Sequence, residues 1–268
     1  MNKGMVRVRG IEMAYDDTGG DRAALVLLHG FPFDRTMWRG QLEALGGEFR
    51  VVAPDLRGLG ATPLGDDVVT METLAEDVAV LLDELGLGRV VLGGLSMGGY
   101  VVFEFFRKFP ERVRALVLAD TRPQTDNEEG RRARAENAQR VLKEGMTSIV
   151  ESMLPKLLST KMRERGGEVL ERVRAMMLGT SPEGAAAALR AMAIRREQTE
   201  LLSSINVPTL LVVGDEDSVT PPADSEMMNT KIEGSRLIFI EGAGHVSNVE
   251  QPERFNRALF EFLRGLSA

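Results

Sequence analysis

The stretch VVLGGLSMGGYVVFEFF, running from Val90 to Phe106, decides how the rest of the chain is read. Its apolar course is broken by four glycines, at 93, 94, 98 and 99, set around Ser96, and resumes at once on the far side. A glycine inside a strand or helix costs about 1 kcal/mol relative to alanine, so such clustering needs a compensating reason. The residues Gly94-Leu95-Ser96-Met97-Gly98 fit G-x-S-x-G, with a strand-like run before them and a helix-length segment after. In that setting a serine sits on a strained strand-to-helix turn with its hydroxyl thrust above a sheet edge, and the glycines stand where a Cβ would collide with neighbours. The competing reading, a glycine-rich turn cradling a phosphate at a helix N-terminus, lacks both the P-loop lysine and the G-x-G-x-x-G spacing.

Outward from this turn, short apolar runs recur, each closing on Gly, Asp or His: RAALVLLHG to Gly30, RVVAPD to Asp55, RVVLGG to Gly94, RALVLAD to Asp120, PTLLVVGDED to Asp217 and SRLIFIEGAGH to His245. They have the composition of parallel strands buried on both faces. Between them lie helical repeats, clearest at Met71, Leu74, Ala75, Val78, Leu81, Leu82 and Leu85, with Gly86 as a stop. The alternation predicts an α/β fold with a parallel sheet covered by helices on both sides. It fails between Arg122 and Ser204, where helix-like pieces are punctuated by Gly130, Gly145, Pro155, Gly166, Gly167, Gly179 and Pro182. The expected division is a core over 1–121 and 205–268 interrupted by a helical insertion over 122–204. That insertion holds six of the fourteen methionines. Met supplies an adaptable pocket wall or fills gaps in a small helical core, and the second use is the commoner one.

The 268 residues are enough for a sizeable core, and a net charge of −7 argues against a nucleic-acid partner. The absence of cysteine excludes disulfides and thiol catalysis, and with two histidines no metal cluster or metal cofactor is expected. No apolar run approaches the roughly 18 residues of a membrane span, and the first residues, MNKGMVRVRGIEMAYDD, lack an uninterrupted apolar region. The expectation is a cytoplasmic protein without a membrane association, acting on a small molecule.

A serine nucleophile needs a base, and only His29 and His245 compete. The motif's chain order of Ser, acid, His puts the base last, which selects His245, at the end of the final strand-like run. For the acid, Asp217 falls between Ser96 and His245 in GDEDSVTPP; Asp120 is an architecturally possible substitute and Asp215 a weaker one. An oxyanion hole requires two backbone N–H donors. Met97 supplies one by position, and Phe31, in the loop after His29-Gly30, is expected to supply the other, leaving His29 a structural part. Trp38, Met153 and Met177 are the expected pocket residues.

Taken together, HGFPF, PDLRGLG, GLSMGG, GDEDSVTPP and GHVSNVEQPERF make the chain resemble the α/β-hydrolase superfamily across nearly its whole length, and HVSNVEQPERF with the insertion resembles the carboxylesterase and 3-oxoadipate enol-lactonase branch. The resemblance implies a mostly parallel sheet of eight strands and a helical cap over the serine, and its nucleophile, acid and base fall on Ser96, Asp217 and His245. Leu59 stands where many relatives have histidine. With serine at the nucleophile position, the branches that need a carboxylate there are disfavoured. The reaction expected is hydrolysis of carboxylic esters with short to medium acyl chains through an acyl-enzyme on Ser96. Lactone hydrolysis, with Arg195 and Arg196 as candidate receivers of a substrate carboxylate, is the alternative, along with cofactor-free perhydrolysis or carbon–carbon bond hydrolysis. A ligand receptor on the same fold is the non-enzymatic alternative.

Overall fold

The computed structural model describes residues 2–266. Eight strands form one sheet in the order β1-β2-β4-β3-β5-β6-β7-β8: β1 (Asn2–Val8), β2 (Ile11–Asp17), β3 (Ala24–Leu28), β4 (Arg50–Pro54), β5 (Val90–Leu95), β6 (Val113–Ala119), β7 (Thr209–Gly214) and β8 (Arg236–Ile240). Strands β3 to β8 pair in parallel and coincide with the six apolar runs of the sequence. The β1–β2 hairpin and the β2–β4 pair are antiparallel. The hairpin turns at Arg9-Gly10, both at positive φ, and its alternating charged and apolar residues suit an edge with one face exposed.

The central strands are buried on both faces, so each side of the pleat carries its own core. Val26, Leu28, Val52, Leu92, Leu116, Leu118 and Leu211 face one cluster, together with residues of α2 (Met71–Glu84) and α3 (Met97–Lys108). Leu25, Leu27, Val51, Ala53, Val91, Val117, Leu210 and Val212 face the other, with α1 (Arg39–Leu45) and α11 (Pro252–Gly265). Helix α2 begins where Thr70 caps the Thr73 N–H and buries Met71, Leu74, Ala75, Val78, Leu81 and Leu82, as its spacing predicts. Gly86, at φ 64°, follows its end.

Between β6 and β7 the chain forms five helices: α4 (Glu128–Glu144), α5 (Thr147–Leu157), α6 (Thr160–Arg165), α7 (Glu168–Leu178) and α8 (Pro182–Ala193). After β7 come α9 (Pro222–Lys231), then α10 (Ser247–Glu250) beyond β8, and α11. The five inserted helices rest on loops at the carboxyl ends of several strands. Thr180 Oγ1 donates to the Pro32 carbonyl and Arg172 to that of Thr36, both after β3. Gly184 of α8 abuts the Gly58 carbonyl after β4. The turn between α5 and α6 touches the loops after β7 and β8. Among the described residues no helix is long and apolar enough to cross a membrane.

Candidate active site

Ser96 joins β5 to α3 at φ 54°, ψ −115°, a region that an L residue occupies only under strain. The turn is tight because the helix returns directly over the strand: a Cβ on Gly94 would collide with the Gly98 backbone, and one on Gly98 with the Leu28 carbonyl. The glycines around Ser96 therefore answer to sterics. Their result is a serine that stays partly exposed while the groups behind it are buried.

The loops after β7 and β8 bring Asp217 and His245 to this serine. His245 Nε2 lies 2.8 Å from Ser96 Oγ, and His245 Nδ1 lies 2.8 Å from Asp217 Oδ2. With the Nδ1 proton directed to the carboxylate, Nε2 is left to accept from the serine hydroxyl. Asp217 Oδ1 accepts from the backbone N–H groups of Val219 and Thr220, at 2.8 and 3.0 Å, and Oδ2 also accepts from Thr220 Oγ1 at 2.6 Å. His245 and Asp217 are 1% and 3% exposed. Burial alone pushes the imidazole's pKa down, but the charge and hydrogen bond of Asp217, with the charge of Asp120, outweigh it and the net direction is up. Burial likewise pushes Asp217 up, yet His245 and the donors of Thr220 hold its carboxyl below the usual range.

The two other carboxylates considered for this place are engaged elsewhere. Asp120, fully buried at φ 43°, accepts the Gly214 N–H on Oδ1 and the Ser247 hydroxyl on Oδ2. Burial, then the neighbouring charge of Asp217, drives its pKa well above the ordinary value. Asp215 Oδ1 accepts the Gly242 N–H at 2.7 Å. His29 is buried behind the loop after β3, its Nε2 accepting the Leu56 N–H and its Nδ1 donating to the Gly30 carbonyl, both at 2.9 Å. Burial lowers its pKa, in keeping with a neutral ring that ties two loops together.

Phe31 follows Gly30, and Met97 opens α3. Among the described residues neither backbone N–H meets an acceptor. Trp38 and Met177 are fully buried, Trp38 against Phe255 with ring centroids 6.0 Å apart. Met153 is partly exposed and packs against both apolar clusters. The two candidate arginines differ in how far their guanidinium groups are engaged. Arg195 is buried over the Tyr100 ring, bonded to Asp126 at 2.7 Å, while the exposed Arg196 lies 3.6 Å from both Glu72 and Glu104. Residue spacing alone does not reveal Glu250, a buried carboxylate that accepts the N–H of Gly244 beside His245.

A family model described as the α/β hydrolase fold matches residues 23–252. The chain belongs to the α/β hydrolase family. This α/β hydrolase is 30% identical to 3-oxoadipate enol-lactonase 1 of Acinetobacter baylyi, over 91% of this chain and 89% of that protein. Among solved structures it is similar to a thermophilic esterase from Thermogutta terrifontis with malate bound, at 43% identity, TM-score 0.96 and full coverage of both chains. It is also similar to the enol-lactonase from Burkholderia xenovorans LB400, at 29% identity and TM-score 0.90, over 97% of this chain and 99% of that one. Hydrolysis is the activity that these relatives share.

Proposed function

We propose that this α/β hydrolase cleaves carboxylic esters of short to medium acyl chains through an acyl-enzyme on Ser96. The observation that carries the reading is the unbroken line from Ser96 Oγ to His245 to Asp217, with 2.8 Å at each step. In the first half-reaction Ser96 Oγ bonds to the ester carbonyl carbon as its proton passes to His245 Nε2. The carbonyl oxygen becomes an oxyanion received by the N–H groups of Phe31 and Met97, each worth about 3 kcal/mol in such a role. As the tetrahedral species collapses, the bond to the alkoxide breaks and His245 returns the proton to the departing alcohol. Water then gives a proton to His245 and attacks the acyl carbon, and Ser96 leaves with that proton. Asp217 keeps the imidazole in the required tautomer and stabilises its charged form without taking the proton.

The five inserted helices, on residues 122–204, serve as a cap over the core of 1–121 and 205–268, with Met153 and Met177 of the cap and Trp38 of the core contributing the apolar wall of the pocket between them. The esterase relative supports the ester reading. The enol-lactonases support a second one in which alcohol and acyl group belong to one ring, and the same atoms then carry the same steps. In either case the substrate is a small molecule.

A p-nitrophenyl ester series, C2 to C8, tests the reading. Wild type should release a burst of nitrophenol equal to the enzyme concentration and then turn over, with Ser96→Ala losing both while staying folded. Ser96→Ala activity within about tenfold of wild type would defeat the acyl-enzyme.

A further inference from the structure

The residues on either side of Asp217 and of His245 grip one short piece of the cap. Ser218, next to Asp217, donates from Oγ to the Lys156 carbonyl at 3.2 Å, and Glu216, on the other side, accepts the Thr160 N–H at 2.9 Å. Val246, next to His245, donates its N–H to the Leu157 carbonyl at 3.3 Å. Gly244, on the other side, approaches so closely that a Cβ would run into the Leu158–Ser159 peptide. The cap turn 156–160 is therefore held by the loops of Asp217 and His245 together.

At the centre of this grip lies Glu250. Its Oε1 accepts the Gly244 N–H at 2.8 Å, both carboxylate oxygens accept the Ser159 N–H at 3.1 Å, and Oε2 accepts the Ser159 hydroxyl at 2.7 Å. Ser159 in turn caps α6 through Met162 N–H. The side chain is buried, and the charged group facing it is another carboxylate, Glu216. Burial pushes its pKa up and the donors of Ser159 and Gly244 pull it back, leaving it above the ordinary value. A buried carboxylate is a costly choice for packing alone, since it must be met by donors in full. Here every donor comes from the His245 loop or the cap turn.

We propose that Glu250 is a positioning residue that fastens the loop of His245 to the cap turn at Ser159, so that the imidazole stands over Ser96 Oγ only while the cap is seated. The proposal rests on Ser96 and His245 being the reacting groups. Glu250 touches neither; it acts through the Gly244 amide, one residue before the base. Losing it should let the imidazole drift from its 2.8 Å contact, while Met153 and Met177 of the apolar wall are not among its partners, so binding suffers less than proton transfer. The effect belongs in kcat.

The test compares Glu250→Ala, Glu250→Gln and Ser159→Ala with wild type in two assays: p-nitrophenyl acetate turnover, and the rate at which a fluorophosphonate labels Ser96. The label needs His245 as base and requires no knowledge of the natural substrate. Glu250→Ala should lower kcat and the labelling rate by about 100-fold, the scale of a 1 Å misplacement, with KM changed by less than about threefold. Ser159→Ala, which removes one hydroxyl but leaves the Ser159 N–H on Glu250, should lower both by about tenfold. Glu250→Gln should recover most of the loss: one oxygen still serves the Gly244 and Ser159 amides, and the new NH2 donates to Ser159 Oγ. Labelling of Glu250→Ala within about twofold of wild type, or a loss confined to KM, would overturn the proposal. If Glu250→Ala does not fold, Ser159→Ala alone decides by the same criteria. A wild type that resists the label would instead overturn the serine reading and this proposal with it.

Discussion

Replacing Asp217 by asparagine tests the site at its most constrained point, because the structure dictates which way the amide must face. Asp217 Oδ1 lies against two backbone N–H groups, those of Val219 and Thr220, which only an oxygen can satisfy. An asparagine must place its carbonyl there, so its NH2 falls where Oδ2 now accepts from His245 Nδ1 and Thr220 Oγ1. Thr220 can reverse its hydroxyl and accept. His245 can adapt only by moving its proton to Nε2, which turns the acceptor facing Ser96 into a donor. The expected loss in kcat is about ten-thousandfold, the measured scale for this tautomer error in serine proteases, or about 5 kcal/mol of barrier. Asp120→Asn is the matched control. Its oxygen still accepts from Gly214, and its NH2 meets the Ser247 hydroxyl, which can donate or accept, so the loss should stay within about tenfold. Steady-state kinetics on p-nitrophenyl acetate measures both. An Asp217→Asn variant within tenfold of wild type, or a larger loss in Asp120→Asn, would refute the reasoning and move the acid to β6.

Two further outcomes follow from the same geometry. His245 must be neutral to accept the serine proton, and its pKa is raised above 6.5, so kcat/KM should climb with pH through one ionisation whose midpoint lies above 6.5. A flat profile, or a midpoint below that value, would show that Asp217 does not hold the imidazole as described. Gly98→Ala should destabilise the fold by about 3 kcal/mol or more in urea unfolding, because the new methyl group meets the Leu28 carbonyl, a backbone atom that cannot turn aside. A loss below about 1 kcal/mol would mean that the elbow relaxes at little cost.

The parts of the fold that were legible in the sequence are those where burial on both faces leaves an unbroken apolar signal. Strands β3 to β7 read as runs because every residue of a central parallel strand needs an apolar neighbour, whereas β8, at the sheet edge with Phe239 46% exposed, carries the same run without burial on both faces. The β1–β2 hairpin carries the other signature, alternation such as Val6-Arg7-Val8, over a length too short to separate it from a loop, and the eight-strand count rested on family resemblance. Within the insertion, glycine is an uneven guide. Gly145 and Gly166 do end helices, each at positive φ, whereas Gly130 sits inside the first turn of α4 and Pro155 inside α5. Gly130 breaks nothing because its N–H is taken by the Asn127 side chain, where an N-terminal turn needs a donor satisfied anyway.

The candidate site was legible for a different reason: its chemistry admits few residue types. Two histidines and one serine elbow left little choice, and chain order ranked the aspartates before geometry gave the physical ground. Asp217 is followed closely by the two N–H groups that aim it, while Asp120 is taken up by Gly214 and Ser247. What spacing could not expose is any residue whose partner is distant along the chain. Arg195 looks like one more charge on a polar helix end until Asp126, 69 residues away, folds against it and makes it a buried ion pair. Glu250 reads as part of a polar helix start until Ser159, 91 residues away, arrives from the cap. Both pairs tie the insertion to the core or to itself, and both consist of residue types that occur throughout the surface. Reacting groups announce themselves by type, but the groups that seat a cap over them are ordinary polar residues made specific only by the fold. On the proposed reading, the seam between the turn 156–160 and the His245 loop is where sequence changes that leave Ser96, His245 and Asp217 untouched would alter turnover.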